Sequence, residues 1–205
     1  MKPDYWDRAK RSLARRDPVM AGIMRRYPGI HLVSRGDPFL TLSRSIVGQQ
    51  ISVKAAASVW LKLTTAVPAM RPEIIHRHDA EALRGCGLSR SKVVYLQDLA
   101  LHFVERKLDV RRWKKMSDDE LIAQLTQVRG IGRWTAEMFL IFYMTRPDVL
   151  PVDDIGLQRA MSLHYNHGRP VSKLKMNSIA KLWRPWRSVA TWYMWRSLDP
   201  VPVEY

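Results

Sequence analysis

Apolar residues recur at three- and four-residue intervals along almost the whole chain, and no stretch alternates apolar with polar residues long enough to defend a strand. Such a pattern confines the chain to an all-α fold in which amphipathic helices bury one face each. The spacing predicts a helix over 5–16 around Trp6, Ala9 and Leu13, and a second, opened by Asp17-Pro18, through Met24. A long helix is expected from Pro38 to about Thr64, with Phe39, Leu42, Ile46 and Val59-Trp60 as buried candidates. One or two short helices over 71–84 end at Gly85, and another covers 89–106 on the face of Val93, Leu96, Ala100 and Phe103. Ser117 followed by Asp118, Asp119 and Glu120 is a strong helix start, and that helix ends near Thr126. The next begins around Gly132, Asp153-Asp154 open a further one, and 172–198 forms one or two helices broken at Pro185.

No linker, low-complexity segment or obvious repeat divides the 205 residues. The expectation is a single unit of two helical lobes, with lobe A formed by 1–37 plus 172–205 and lobe B by 38–171, the latter holding a hairpin at 121–136. Lys and Arg outnumber Asp and Glu by 34 to 19, a net charge of +15, which points to a polyanionic partner. The single cysteine, Cys86, excludes an internal disulfide and an iron-sulfur cluster and reads as a small packed side chain. No apolar run approaches the ~20 residues that span a bilayer. The start MKPDYWDRAKRSLARR reads as neither a secretory signal nor a transit peptide, so a cytoplasmic protein on the nucleoid, or a nucleus-associated one, is expected. The six histidines show no metal-ligand spacing and read as structural or surface residues.

The most specific segment is TQVRGIGRWTAEMF, 126–139. Gly130 and Gly132 flank Ile131 in a tight loop between two helices, which leaves unpaired N–H groups at the second helix's start, a place suited to a phosphate, with Arg133 adding charge. An ordinary helix-helix turn with a glycine C-cap has the same local pattern. Twenty residues beyond Trp134 lies Asp154 in PVDDIGLQR, 151–159. Either acid of the pair suits an N-cap. Asp153 is read as that cap, and Asp154 as placed to face the sugar of a nucleotide held at the loop.

The hairpin VRGIGRWTA followed by the acid of PVDD resembles the helix-hairpin-helix (HhH-GPD) DNA glycosylase superfamily, and within it the DNA-3-methyladenine glycosylase II branch. SIVGQQISVKAAA, 45–57, and WRPWRSVATWYMW, 183–195, resemble that branch too. The resemblance implies a monofunctional glycosylase that flips an alkylated base of the 3-methyladenine or 7-methylguanine class out of double-stranded DNA and hydrolyses its glycosidic bond, starting base-excision repair. It implies Asp154 as the catalytic aspartate. Trp134 stands where bifunctional members carry a Lys nucleophile, which implies no strand-cleaving lyase step. The N–H groups of Gly130, Gly132 and Thr135 correspond to a phosphate clamp, and the carbonyls of Thr126, Val128 and Ile131 to a site for a structural Na+ or K+. No cofactor is implied for catalysis. The chain begins almost at the helical part, so a compact form without the branch's extra N-terminal β-rich domain is expected, and as a monomer.

Gln50 stands where an apolar wedge belongs, so Gln49, Gln50 and Leu88 are the candidates for filling the gap left by a flipped base. Of eight tryptophans, Trp6, Trp60, Trp113, Trp183 and Trp186 read as core, whereas Trp134, Met138 and Trp195 are assigned to the base pocket. A base alkylated at N3 or N7 is cationic, hence a good leaving group and a partner for an indole face. Arg44, Lys54, Arg90, Lys92, Arg129 and Arg133 lie in or beside the matched loops and are expected to meet phosphates. Arg15-Arg16, Arg25-Arg26 and the run Arg111 to Lys115 read as solvated faces. Two other readings share part of this pattern: a glycosylase for deaminated or oxidised purines, and a noncatalytic helix-hairpin-helix DNA-binding module.

Overall fold

The computed structural model describes residues 2–34 and 36–198. Among them lie thirteen helices and no strand. The helices are α1 (Trp6–Arg16), α2 (Pro18–Arg26), α3 (Pro38–Gly48), α4 (Val53–Ala66), α5 (Pro72–Arg77), α6 (Ala80–Gly85) and α7 (Arg90–Val104). They continue with α8 (Val110–Trp113), α9 (Asp118–Leu125), α10 (Arg133–Phe142), α11 (Ile155–Tyr165), α12 (Lys173–Ala180) and α13 (Arg187–Leu198). No helix among them is long and apolar enough to cross a membrane.

Short polar caps set where these helices start. Asp17, Asp37, Ser52, Ser89 and Ser172 each accept a backbone N–H of the first turn that follows. Ser117 and Glu120 close a reciprocal capping box at α9. One expected helix is two: Gln49–Ser52 interrupts 38–64, with Gln50 left-handed at φ 58° and Ser52 opening α4. The short α8 lies outside the helices that the sequence pattern predicts. It buries Trp113, whose Nε1–H donates to Gln124 Oε1 at 2.9 Å.

The described chain divides into two compact units, 2–34 with 140–198 and 36–139. In the first, α1 packs on α2 and α13, α13 on α2, and α11 on α13. Its core gathers Trp6, Leu13, Met20, Ile23, Met161 and Trp183, with the Trp6 ring edge-on to Trp192 at 5.3 Å. In the second, α3, α5 and α6 pack on α7, and α4 on α3. An aromatic ladder runs through this unit, Phe39 to Phe103, Phe103 to Trp113 and Trp113 to Phe139, with centroids 5.5, 6.1 and 5.3 Å apart.

This division departs from the expected lobes: 140–171 belong with the chain ends, because α11 packs on α13 and the loop before α11 is bonded to the start of α13. Met1, Arg35 and 199–205, all within the expected lobe A, lie outside the described residues. Trp6, Trp113 and Trp183 are buried as expected, but Trp60 and Trp186 are only half-buried, as is Val59. Trp186 lies on Tyr5 at 5.6 Å under the Arg8 guanidinium, a half-buried stack at the edge of the core.

Candidate active site and DNA-binding hairpin

In the first unit the turn Pro151–Asp154, closed by Asp154 N–H to the Pro151 carbonyl at 3.0 Å, delivers Asp154 to the start of α11. Asp154, and not Asp153, is the N-cap: its Oδ1 accepts the Leu157 N–H at 2.6 Å. Asp153 is exposed and paired with Lys173. The cap falls on the second acid because a side-chain oxygen there reaches the N–H three residues on.

Asp154 is only 6% exposed, and the same Oδ1 accepts the indole Nε1–H of Trp195 at 2.7 Å. Trp195 stacks on Phe142, centroids 5.7 Å apart and planes 13° from parallel. Gly156 permits the approach, since a Cβ there would lie 3.1 Å from Asp154 Oδ1 and 3.2 Å from Trp195 Cδ1. The carboxylate lies at the N-terminal end of α11, beside the backbone N–H groups of its first turn.

The loop that carries Asp154 is stitched to the helix that carries Trp195. Arg187 grips Asp148 with Nε to Oδ1 at 2.7 Å and Nη2 to Oδ2 at 3.0 Å. Ser188 accepts the Val149 N–H at 2.9 Å and gives its own N–H to the Pro147 carbonyl at 3.0 Å. Acid and indole therefore share one support. Sequence reasoning missed Phe142, Asp148, Gly156 and Arg187. An arginine at the start of α13 gives no hint of its partner 39 residues earlier, and only Gly156, a glycine in a helix's first turn, left a local signal.

In the second unit α9, the loop 126–132 and α10 form the helical hairpin. Ile131 N–H donates to the Val128 carbonyl at 3.1 Å, and Gly130 turns the chain at φ 81°. A Cβ on Gly130 would lie 2.3 Å from the Tyr95 ring, so the ring packs directly on the glycine. Gly132 differs. It caps α10 through its carbonyl, which accepts the Ala136 N–H, and a Cβ on it would meet nothing within 4 Å. The N–H groups of Arg133, Trp134 and Thr135 lie in the first turn of α10, where no earlier turn of the same helix can accept them.

Several predicted site residues turn out to be engaged within the protein. Gln49 Nε2–H donates to the Gly130 carbonyl at 2.8 Å, and Asp98 Oδ2 accepts the Arg129 N–H at 2.8 Å. Lys92 Nζ donates to the Val47 carbonyl at 2.7 Å, capping the end of α3, and burial lowers its pKa. Arg133 reaches Glu137 Oε1 at 3.0 Å and leaves its side chain 60% exposed. Leu88 is buried, whereas Gln50 is exposed on its turn. Thr135 and Met138 are buried and Trp134 is half-buried, all on α10. The structure thus brings Asp154 and Trp195 together in one unit, and Gln49, Arg129, Gly130, Gly132, Arg133 and Thr135 in the other.

Residues 43–187 match the family model described as HhH-GPD superfamily base excision DNA repair protein. The chain belongs to this superfamily. It is 32% identical over 171 residues, 80% of this chain and 74% of the relative, to DNA-3-methyladenine glycosylase 1 of Schizosaccharomyces pombe. The crystal structure of DNA-3-methyladenine glycosidase from Bacillus halodurans superposes with a TM-score of 0.85 at 32% identity, covering 93% of this chain and 89% of that one. The Schizosaccharomyces pombe 3-methyladenine DNA glycosylase in complex with abasic DNA superposes with a TM-score of 0.83 at 27% identity, covering 97% and 99%. Within this HhH-GPD chain the hairpin and the acid-bearing helix are both inside the matched residues.

Proposed function

We propose that this HhH-GPD chain is a monofunctional DNA glycosylase that excises alkylated bases of the 3-methyladenine and 7-methylguanine class from double-stranded DNA, with Asp154 as its catalytic residue. The observation that carries it is the Asp154 carboxylate, 6% exposed, capping α11 with one oxygen held by the Leu157 N–H and the Trp195 indole. Relatives named as DNA-3-methyladenine glycosylases support the substrate class.

The chemistry suits the carboxylate. A cationic alkylated base leaves readily, so the C1′–N bond breaks with its electron pair going to the base, and positive charge builds on the deoxyribose. A fixed carboxylate beside C1′ stabilises that charge without reorganising. Asp154 also orients the water whose oxygen bonds to C1′ and takes its proton. The products are a free base and an abasic site. Trp195, Trp134 and Met138 are proposed as base-contacting residues, the indole faces attracting the cationic ring. With Trp134 in the lysine position no Schiff base forms, so the strand is left whole.

The hairpin holds a backbone phosphate through the N–H groups of Gly130, Gly132 and Thr135, with Arg129 and Arg133 adding charge. Gln50, exposed and left-handed, is the wedge candidate best placed on its turn, while buried Leu88 is not. A Na+ or K+ at the hairpin would be held by the carbonyls of Thr126, Val128 and Ile131. This set of hard oxygens fits, the Val128 carbonyl keeping a second lone pair beside its bond from Ile131. When bound, the ion supplies positive charge near the phosphate. Catalysis needs no cofactor, the chain acts as a monomer, and it works where the chromosome lies, on the nucleoid or in the nucleus.

The test is release of 7-methylguanine and 3-methyladenine from duplex oligonucleotides by wild type and Asp154→Asn, with strand breaks read before and after alkali. Asn keeps an oxygen for both hydrogen bonds and loses the charge. Release should fall about 100-fold or more in the variant, with breaks only after alkali. Release from deaminated or oxidised purines alone, or salt-sensitive binding with no release at all, would overturn the alkylbase reading.

A further inference from the structure

The segment Arg129–Gly130 is gripped at both ends by side chains from elsewhere in the second unit. Asp98 of α7 accepts the Arg129 N–H at 2.8 Å, and Gln49 of the α3–α4 turn donates to the Gly130 carbonyl at 2.8 Å. The peptide after Gly130 is held from both its atoms, since its N–H, that of Ile131, also donates to the Val128 carbonyl. Between the two fixed peptides lies one more, and it carries the Gly130 N–H. The Tyr95 ring, one turn before Asp98 on α7, closes against Gly130 where a Cβ would stand. Lys92, a further turn back, ties α7 to the end of α3 and so to the base of the turn that bears Gln49. His102 lies beyond Asp98, its Nδ1 3.6 Å from the Asp98 carboxylate.

We infer that Gln49 and Asp98 are positioning residues that fix the Arg129–Gly130 segment, so that the hairpin's phosphate-binding N–H groups and the wedge-bearing 49–52 turn meet DNA as one rigid piece. Gln49 acts through Gly130 and does not itself read DNA. The inference rests on the proposed phosphate role of the hairpin. A loop already in its bound geometry spares the entropy of ordering it on binding, so loosening either grip costs affinity before it costs catalysis.

Binding to duplex DNA carrying a tetrahydrofuran abasic analogue, single-turnover base release and melting temperature would be measured for wild type, Gln49→Leu, Asp98→Ala, Asp98→Asn and the Gln49→Leu/Asp98→Ala pair. Asp98→Ala and Gln49→Leu should each weaken binding about tenfold and leave release from saturated complex near wild type. Asp98→Asn retains an oxygen acceptor and should restore binding. The double variant should bind about as weakly as either single one, because both act through the same segment. Amide exchange at Arg129 and Ile131, read by NMR without DNA, should quicken in both single variants even if their melting temperatures fall. Unchanged exchange with unchanged binding, or strictly additive losses in the double variant, would overturn the inference. Failure of wild type to bind the duplex would instead remove the reading on which it rests.

Discussion

The indole Nε1–H of Trp195 donates to Asp154 Oδ1 at 2.7 Å, on the same oxygen that caps α11. Two donors at one oxygen orient the carboxylate plane, and the indole is itself oriented by its stack on Phe142. Trp195→Phe keeps a ring for the stack and removes the donor. A hydrogen bond to a charged group contributes about 1.5–3 kcal/mol, so base release at saturating enzyme should slow by roughly 10- to 100-fold. Single-turnover kinetics check this, with melting read alongside. A rate equal to wild type would show that the capping bond alone orients the acid.

Gly156 allows that hydrogen bond to form. A methyl group there would stand 3.1 Å from Asp154 Oδ1 and 3.2 Å from Trp195 Cδ1, closer than ordinary van der Waals contact, while Phe142 backs the indole. Replacing glycine by alanine in a helix gains up to about 1 kcal/mol, which offsets the crowding in the folded state. Gly156→Ala should therefore melt close to wild type and lose activity about tenfold through the displaced carboxylate and indole. Melting curves with release rates separate the two effects.

Local patterning made most of the helices legible, because most starts carry an Asp or Ser cap, as at α2, α3, α4, α7, α9 and α12, and the buried faces keep a helical period. The break between α3 and α4 was hidden for the opposite reason. Gly48 and the Ser52 cap mark it only locally within a continuous apolar period, and what holds the turn is the Gln49 bond to a carbonyl 81 residues away. The same distance effect concealed the stitching of Asp148 to Arg187 and the bracing of Arg129 by Asp98. The family resemblance of PVDD is what singles out Asp154 as the proposed acid, whereas the spacing alone leaves either acid as the cap.

Gly130 and Gly132 stand two residues apart and carry different requirements. Gly130 is at φ 81°, with the Tyr95 ring 2.3 Å from the site of a Cβ. The left-handed backbone costs a side chain about 1–2 kcal/mol, and the clash adds a similar amount. Gly130→Ala should lower the melting temperature by roughly 10 °C and weaken DNA binding. Gly132→Ala meets no protein atom within 4 Å, so it should melt within a few degrees of wild type while its methyl group obstructs a phosphate. Differential melting beside abasic-duplex titration checks the pair. Equal DNA affinity of Gly132→Ala and wild type would remove the hairpin as the phosphate site.

Asp17 is 2% exposed and accepts four hydrogen bonds: Val19 and Met20 N–H on Oδ1, and the Tyr165 hydroxyl at 2.6 Å with Trp183 Nε1–H at 2.8 Å on Oδ2. Burial, reinforced by this carboxylate, raises the Tyr165 phenol well above its ordinary range, and burial pushes Tyr193 up to about 12. A phenol whose folded pKa is raised contributes stability that is complete below the unfolded value of about 10. Above that pH the unfolded chain ionises while the folded one does not, so stability is lost progressively as pH climbs toward the folded value. Urea unfolding of wild type and Tyr165→Phe at pH 8 to 11 should show the variant less stable at pH 8, having lost the bond to Asp17, with a gap that narrows as pH rises past about 10. A gap constant across that range would mean that Tyr165 ionises alike in both states.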